Sequence, residues 1–178
     1  MRLLAEVLRL LESERVPHAL IGAAALAVRG VSRSTADLDL LCVDRRILRR
    51  EAWSHLATPG RTLRVLEGDA DDPLAGSVRL GEGGEIVDVV VGRHAWEREI
   101  IEAAEPLSLG EVTVPVVRPA GLVLLKLHAG GAKDAWDIRA LLEASAEPAA
   151  IKSEVERLVP RLPADARNLW SRLCAERP

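Results

Sequence analysis

The sequence predicts an α+β fold: a sheet-bearing first part followed by a C-terminal helical bundle. Two observations lead there. Up to about residue 117, short apolar runs are set off by glycine, proline and acidic turns, the pattern of strands with a few helices between them, whereas from Pro119 apolar positions recur at helical spacing to the end of the sequence. A third is the lack of any internal repeat or low-complexity linker, so residues 1–118 read as an α/β core and 119–178 as a helical region packed on it. A chain of 178 residues buries roughly 70% of its unfolded surface, enough for a true core.

Each element has its own signal. Leu3, Leu4, Val7, Leu8 and Leu11 repeat on one helical face, and Pro17 closes that helix before a short strand, His18 to Ile21. Gly22 turns the chain into a helix, Ala23 to Arg29, which Gly30 ends. A hydrophobic strand, Ala36 to Val43, follows, then a helix over Ile47 to Ala57. Strands are predicted at Arg61 to Leu66, Ser77 to Leu80 and Glu85 to Val91, with the acidic loop at Asp69, Asp71 and Asp72 read as a solvated turn. A helix near Trp96 to Ala104 precedes a hairpin, Leu107 to Val117, turning at Gly110 and Glu111. The final helices are Gly121 to Ala129, Asp134 to Glu143, Ala149 to Leu158 and Asp165 to Ala175, divided by Gly130 with Gly131 and by prolines.

Three carboxylates carry the chemistry. Asp37 and Asp39 alternate with Leu38, Leu40 and Cys42 on one strand, so both acids share a face, with Cα atoms roughly 6.6 Å apart. Like charges held so close call for a cation, and hard oxygen donors suit magnesium or manganese. In EIVDVVVG, Asp88 shares its strand face with Ile86 and Val90, where a bare charge is costly to bury. It needs either an arginine partner, such as Arg33 or Arg93, or a place beside Asp37 and Asp39, where three acids would serve two metal ions roughly 4 Å apart.

Composition narrows the alternatives. Phe and Tyr are absent and only four tryptophans are aromatic, which leaves no stacking platform for single-stranded nucleic acid. The net charge of -3 gives no global pull toward a polyanion, and Arg45, Arg46, Arg49 and Arg50 read as the solvated face of a helix. Cys42 and Cys174 are isolated, with neither CxxC nor histidines at zinc spacing, which points to a reducing, cytoplasmic setting. The N-terminal segment reads as an amphipathic helix and not a signal peptide, and no apolar run reaches the roughly 18 residues of a membrane span. His18, His55, His94 and His128 have no partners at useful spacing and read as structural or exposed.

Taken together, Gly22, the short helix, Asp37-x-Asp39 and the later Asp88 resemble the nucleotidyltransferase superfamily with a polymerase-beta-type palm, and within it the AbiEii-type toxins and minimal nucleotidyltransferases. The resemblance spans roughly residues 17 to 143. Gly22 and Ala23 match the family's turn, with thirteen residues between it and the acid pair that begins at Asp37. Where relatives have a second Gly or a Ser, Ala23 offers only its main-chain N–H to phosphate. Arg33 and Thr35 match an Arg-x-Thr before the pair, and Lys126, Lys133, Asp134 and Asp137 match a lysine-bearing helix followed by Lys-Asp-x-x-Asp.

This resemblance implies a nucleotidyltransferase-type mixed sheet with flanking helices, and transfer of an NMP from an NTP to a hydroxyl with Mg2+ or Mn2+ as cofactor. Asp37, Asp39 and Asp88 would be the catalytic and metal-binding acids; Gly22, Ala23, Arg33, Thr35, Lys126, Lys133 and Asp137 would serve the nucleotide and its phosphates. Lys126 would open toward the acids, so that Lys126→Met would spare stability while weakening nucleotide binding. It would otherwise be a snorkelling lysine in an apolar helix, and Lys133 with Asp137, at i and i+4, a surface ion pair. The acceptor would be a tRNA end, a protein or a small molecule, and a cognate antitoxin or toxin a partner; no membrane is involved. Two other classes use the same residues: a metal-dependent phosphodiesterase or nuclease, which would not need the Gly22 turn, and a non-catalytic nucleotide-binding or antitoxin-like protein of the same fold.

Overall fold

A computed structural model describes residues 1–32 and 35–175. It shows a mixed α/β fold with a seven-stranded sheet. The elements in order are α1 (Arg2–Ser13), β1 (His18–Ile21), α2 (Gly22–Val28), β2 (Asp37–Cys42), β3 (Thr62–Glu67), β4 (Gly76–Glu82), β5 (Glu85–Val91), α3 (Ala95–Glu102), β6 (Glu105–Leu109), β7 (Val112–Val116), α4 (Pro119–Ala129), α5 (Ala132–Ala144), α6 (Pro148–Leu158) and α7 (Ala164–Ala175). Two compact units emerge: Met1–Ala25 with Ser34–Val117, and Leu26–Arg33 with Arg118–Pro178.

The sheet lies in the first unit, in the order β3-β4-β5-β2-β1-β7-β6. Strands β2 and β5 run parallel, as do β1 and β7, and the remaining pairs are antiparallel. The acid-bearing strand β2 is therefore interior, paired on both sides, which fixes its side chains in register. Period-two alternation then sorts them. Leu40 and Cys42 on β2, Val78 and Leu80 on β4, and Val87, Val89 and Val91 on β5 are fully buried on one face. Their alternates, including Asp37, Asp39, Arg79, Ile86 and Val90, are less buried or exposed. Burial pushes the Cys42 thiol up to about 12, so it is a packing group and not a nucleophile.

Helix α1 buries Leu3, Leu4, Val7, Leu8 and Leu11, the stripe its spacing predicts. In the second unit α4 is apolar nearly all round and packs against α5, α6 and α7, which explains why Ala120, Leu122, Val123, Leu124 and Leu127 are all buried. Pro119 starts α4 at a position whose N–H has no helical acceptor, and Gly130, at φ +68°, caps its end in the left-handed region. One element differs in kind from its expectation. The helix foreseen over Ile47 to Ala57 is two 3-10 segments, Arg45–Leu48 and Arg50–Leu56, because Arg49 between them is extended (φ -78°, ψ 124°). Trp53, fully buried, pins this stretch by donating its indole N–H to the Ile47 carbonyl at 2.6 Å.

Ion pairs on the first unit make it acid-sensitive. Arg61, with its side chain 2% exposed, contacts Glu6 (2.8 Å) and Glu82 (2.5 Å). The Arg61 hydrogen bond holds the Glu6 carboxyl below its ordinary 4.5, and Arg46 does the same for Asp44 from 3.8. A depressed carboxylate contributes stability above its unfolded value and loses it as pH falls through the folded one. Urea unfolding is thus expected to show constant stability from neutral pH to about pH 5 and a decline below about pH 4.5, with Glu6→Gln flattening the decline. An identical pH profile in Glu6→Gln would rule out this pair as a contributor.

Candidate active site

Register assembles the three acids. Asp39 lies directly opposite Asp88 in the parallel β2–β5 pair, and Asp37 opposite Ile86, so the three aspartates fall on one sheet face as foreseen. Asp39 is also opposite Ile21, the last residue of β1, immediately before Gly22. Gly22 adopts φ +68°, and a Cβ built on it would stand 2.1 Å from Asp39 Oδ2. The glycine is therefore needed twice, for its left-handed backbone and for the space that the Asp39 carboxylate fills. Gly22→Ala is expected to destabilise the fold by about 1–3 kcal/mol and to turn the Asp39 carboxylate out of place. Unfolding in urea measures the first effect, and unchanged stability would show that the chain accommodates the methyl group.

In front of β2, Thr35 forms a local turn: the Asp37 N–H donates to Thr35 Oγ1 (3.1 Å) and the Thr35 hydroxyl donates to the Asp37 carbonyl (3.0 Å). Thr35 thus sets where the acid strand begins. Arg33 lies outside the described residues.

The partner of Asp88 is an arginine that sequence reasoning did not identify. Arg79 of β4 is opposite Asp88 in the antiparallel β4–β5 pair and grips it with both arms of its fork, Nε to Oδ1 at 2.8 Å and Nη2 to Oδ2 at 2.6 Å. Its Nη2 also reaches Asp37 Oδ2 at 3.4 Å. Hydrogen bonding to Asp88, its charge, and then the fields of Asp37 and Asp39 hold the guanidinium well above its usual pKa. Arg93, one of the expected partners, instead donates to the Asp69 carbonyl, while the Asp69 and Asp72 carboxylates accept main-chain N–H groups of their own loop. The signal for Arg79 was present in SVRL, where a charged residue alternates with two buried apolar ones, and the hairpin turning at Gly83 and Gly84 sets the register that puts it opposite Asp88.

These residues suit a divalent cation by donor chemistry: three carboxylates on one face, with a glycine clearing room beside one of them. Among the described residues no three His, Cys, Asp or Glu side chains are yet gathered tightly enough to enclose an ion, and the positive charge near Asp88 is that of Arg79.

Within the second unit, Lys126 is engaged by two aspartates. Lys126 of α4 places its ammonium 2.8 Å from Asp134 Oδ1 and 2.8 Å from Asp137 Oδ2, both on α5. These contacts tie α4 to α5 across the Gly130–Gly131 turn. Asp134, at the third position of α5, also accepts the N–H of the N-cap residue Gly131 at 2.9 Å. Burial alone would lower the Lys126 pKa, but its bonds to Asp134 and Asp137 raise it. Asp137 is 1% exposed, and Lys133, four residues before it, is exposed. His18 bonds the Val16 carbonyl, and His94 precedes α3 and stacks on Trp96 at 6.0 Å between ring centroids, as suits structural histidines.

No protein-family model matches the chain, and no curated protein matches it by sequence. Solved structures do. The solution structure of the antibiotic-resistance factor ANT(2'')-Ia is similar over 90% of this chain and 91% of its own, with a TM-score of 0.54 at 16% identity. The crystal structure of ANT(2'')-Ia in complex with adenylyl-2''-tobramycin is similar over 90% and 97%, with a TM-score of 0.53 at 18% identity. These likenesses show that the chain shares the fold of ANT(2'')-Ia.

Proposed function

We propose that this chain is a nucleotidyltransferase that moves an NMP from an NTP to a hydroxyl acceptor at the face formed by Asp37, Asp39 and Asp88. The observation that carries the reading is the register: Asp39 directly opposite Asp88 on parallel neighbours, Asp37 on the same face, and the Gly22 turn closing against Asp39. Asp37 and Asp39, with Asp88, would hold Mg2+ or Mn2+, which when bound neutralises triphosphate charge and acidifies the acceptor hydroxyl. The acceptor oxygen attacks the α-phosphorus in line as the bond to the bridging α,β-oxygen breaks and pyrophosphate leaves. Asp88, nearly buried, is the carboxylate to receive the acceptor's proton, and the N–H of Ala23 at the start of α2 meets phosphate. Lys126, Lys133 and Asp137 enter only through the family resemblance, as does a toxin-antitoxin pairing.

The acceptor is a hydroxyl of RNA, protein or a small molecule. An aminoglycoside is the first to test, since a structure of the same fold contains adenylyl-2''-tobramycin. Incubation with each NTP, Mg2+ and separate pools of aminoglycosides, RNA and protein should give pyrophosphate only when the right acceptor is present. The bidentate Arg79–Asp88 pair favours a second reading, a nucleotide-binding protein of this fold that does not catalyse; it would bind NTP and release no pyrophosphate with any pool.

A further inference from the structure

We infer that Arg79 is a displaceable internal cation, which neutralises Asp88 and reaches Asp37 until a divalent ion takes its place. The inference rests on the reading of this face as a divalent-cation site and adds how access to it is governed. Three observations support it. Both Asp88 oxygens are engaged by one guanidinium, at 2.8 and 2.6 Å, so a dication approaching Asp88 meets a positive charge already seated there. The contact to Asp37 is longer, 3.4 Å, and makes Arg79 a bridge across two of the three acids.

Exposure decides between a fixed brace and a movable one. The Arg79 side chain is 50% exposed, whereas that of Asp88 is 13% exposed. Arg61, also held by two carboxylates, is 2% exposed and cannot leave without unpacking its surroundings. Arg79 can rotate its guanidinium into water while its main chain stays paired in β4, flanked by the buried Val78 and Leu80. Asp88 cannot follow it and would be left as an uncompensated, nearly buried charge unless another cation arrives. Release of Arg79 and binding of the metal are therefore linked, and each opposes the other.

Manganese titration followed by electron paramagnetic resonance, without nucleotide, tests the idea on the intact chain. Arg79→Met should bind Mn2+ about tenfold or more tighter than the wild type, because the competing charge is gone. Arg79→Met with Asp88→Asn should lose that gain. Equal or weaker Mn2+ binding by Arg79→Met overturns the inference. Thermal unfolding covers the case in which the unpaired Asp88 weakens the fold: Arg79→Met should melt lower than the wild type without metal and be raised more by Mn2+. Failure of Arg79→Met to fold even with Mn2+ would make Arg79 a structural brace and end the proposal. Acceptor-dependent pyrophosphate release by the wild type, combined with unchanged Mn2+ affinity in Arg79→Met, removes this inference and leaves the transferase reading. Absence of Mn2+ binding in both proteins together with absence of transfer removes both.

Discussion

Asp39→Ala will lower nucleotidyl transfer about a thousandfold or more while the chain stays folded. Asp39 occupies the centre of the site, opposite Asp88 on one side and beside the Gly22 turn on the other. No neighbouring side chain can take over its oxygens, since Asp37 is two residues away along the same strand and Asp88 is held by Arg79. The main chain of β2 keeps its pairing with β1 and β5 whatever the side chain, so the strand persists. Stability should be unchanged or slightly raised, because two like charges no longer face each other across the register pair. Pyrophosphate release and thermal unfolding measured on the same preparation check both halves, and transfer retained within a few-fold of wild type would remove Asp39 from the chemistry.

Lys126→Met will destabilise the protein by about 3 kcal/mol, against the expectation from the sequence that it spares stability. Methionine keeps the volume and helix propensity of the stem, so the loss comes from charge alone. Asp137 is 1% exposed and would lose the ammonium 2.8 Å away, and Asp134 would lose the same partner. Removing one partner from a buried carboxylate costs more than an exposed ion pair contributes. Lys126→Met with Asp137→Asn should recover much of the loss, since the buried negative charge that the ammonium faced is then gone. Urea unfolding of the single and double variants measures both effects, and a single variant as stable as wild type would show that water compensates Asp137.

What could be read from the sequence follows from how local each determinant is. Strand β2 was expected at 36–43 and spans Asp37–Cys42, β1 matches at His18–Ile21, and the hairpin turns at Gly110 and Glu111, because alternation and turn residues act within a few positions. The broken segment at 45–56 was not legible: its apolar pattern fits a helix, but the break at Arg49 accompanies the burial of Trp53 and its bond to Ile47. The same limit applied to the site. Asp37 and Asp39 share a face by period alone, whereas the positions of Asp88 and Arg79 depend on strands 40 or more residues apart in sequence, or on a hairpin register. A lone charge in an apolar strand singled out Asp88; its partner Arg79, nine positions away, follows from the register of the hairpin that turns at Gly83 and Gly84, which was not read from the sequence. The tie of Lys126 to Asp134 and Asp137 was not read from the sequence either, because it depends on how α4 and α5 meet across the Gly130–Gly131 turn.

Which phosphorus is attacked is the central claim, and parallel reactions with NTP labelled at the α- or the γ-phosphorus test it most directly. With wild-type protein, Mg2+ and the productive acceptor pool, the α-label should move onto the acceptor while the γ-label appears wholly in pyrophosphate, and Asp39→Ala should do neither. Transfer of the γ-label to the acceptor, or its release as orthophosphate, would make the chain a phosphotransferase or a hydrolase and contradict the assignment of this acidic face to NMP transfer.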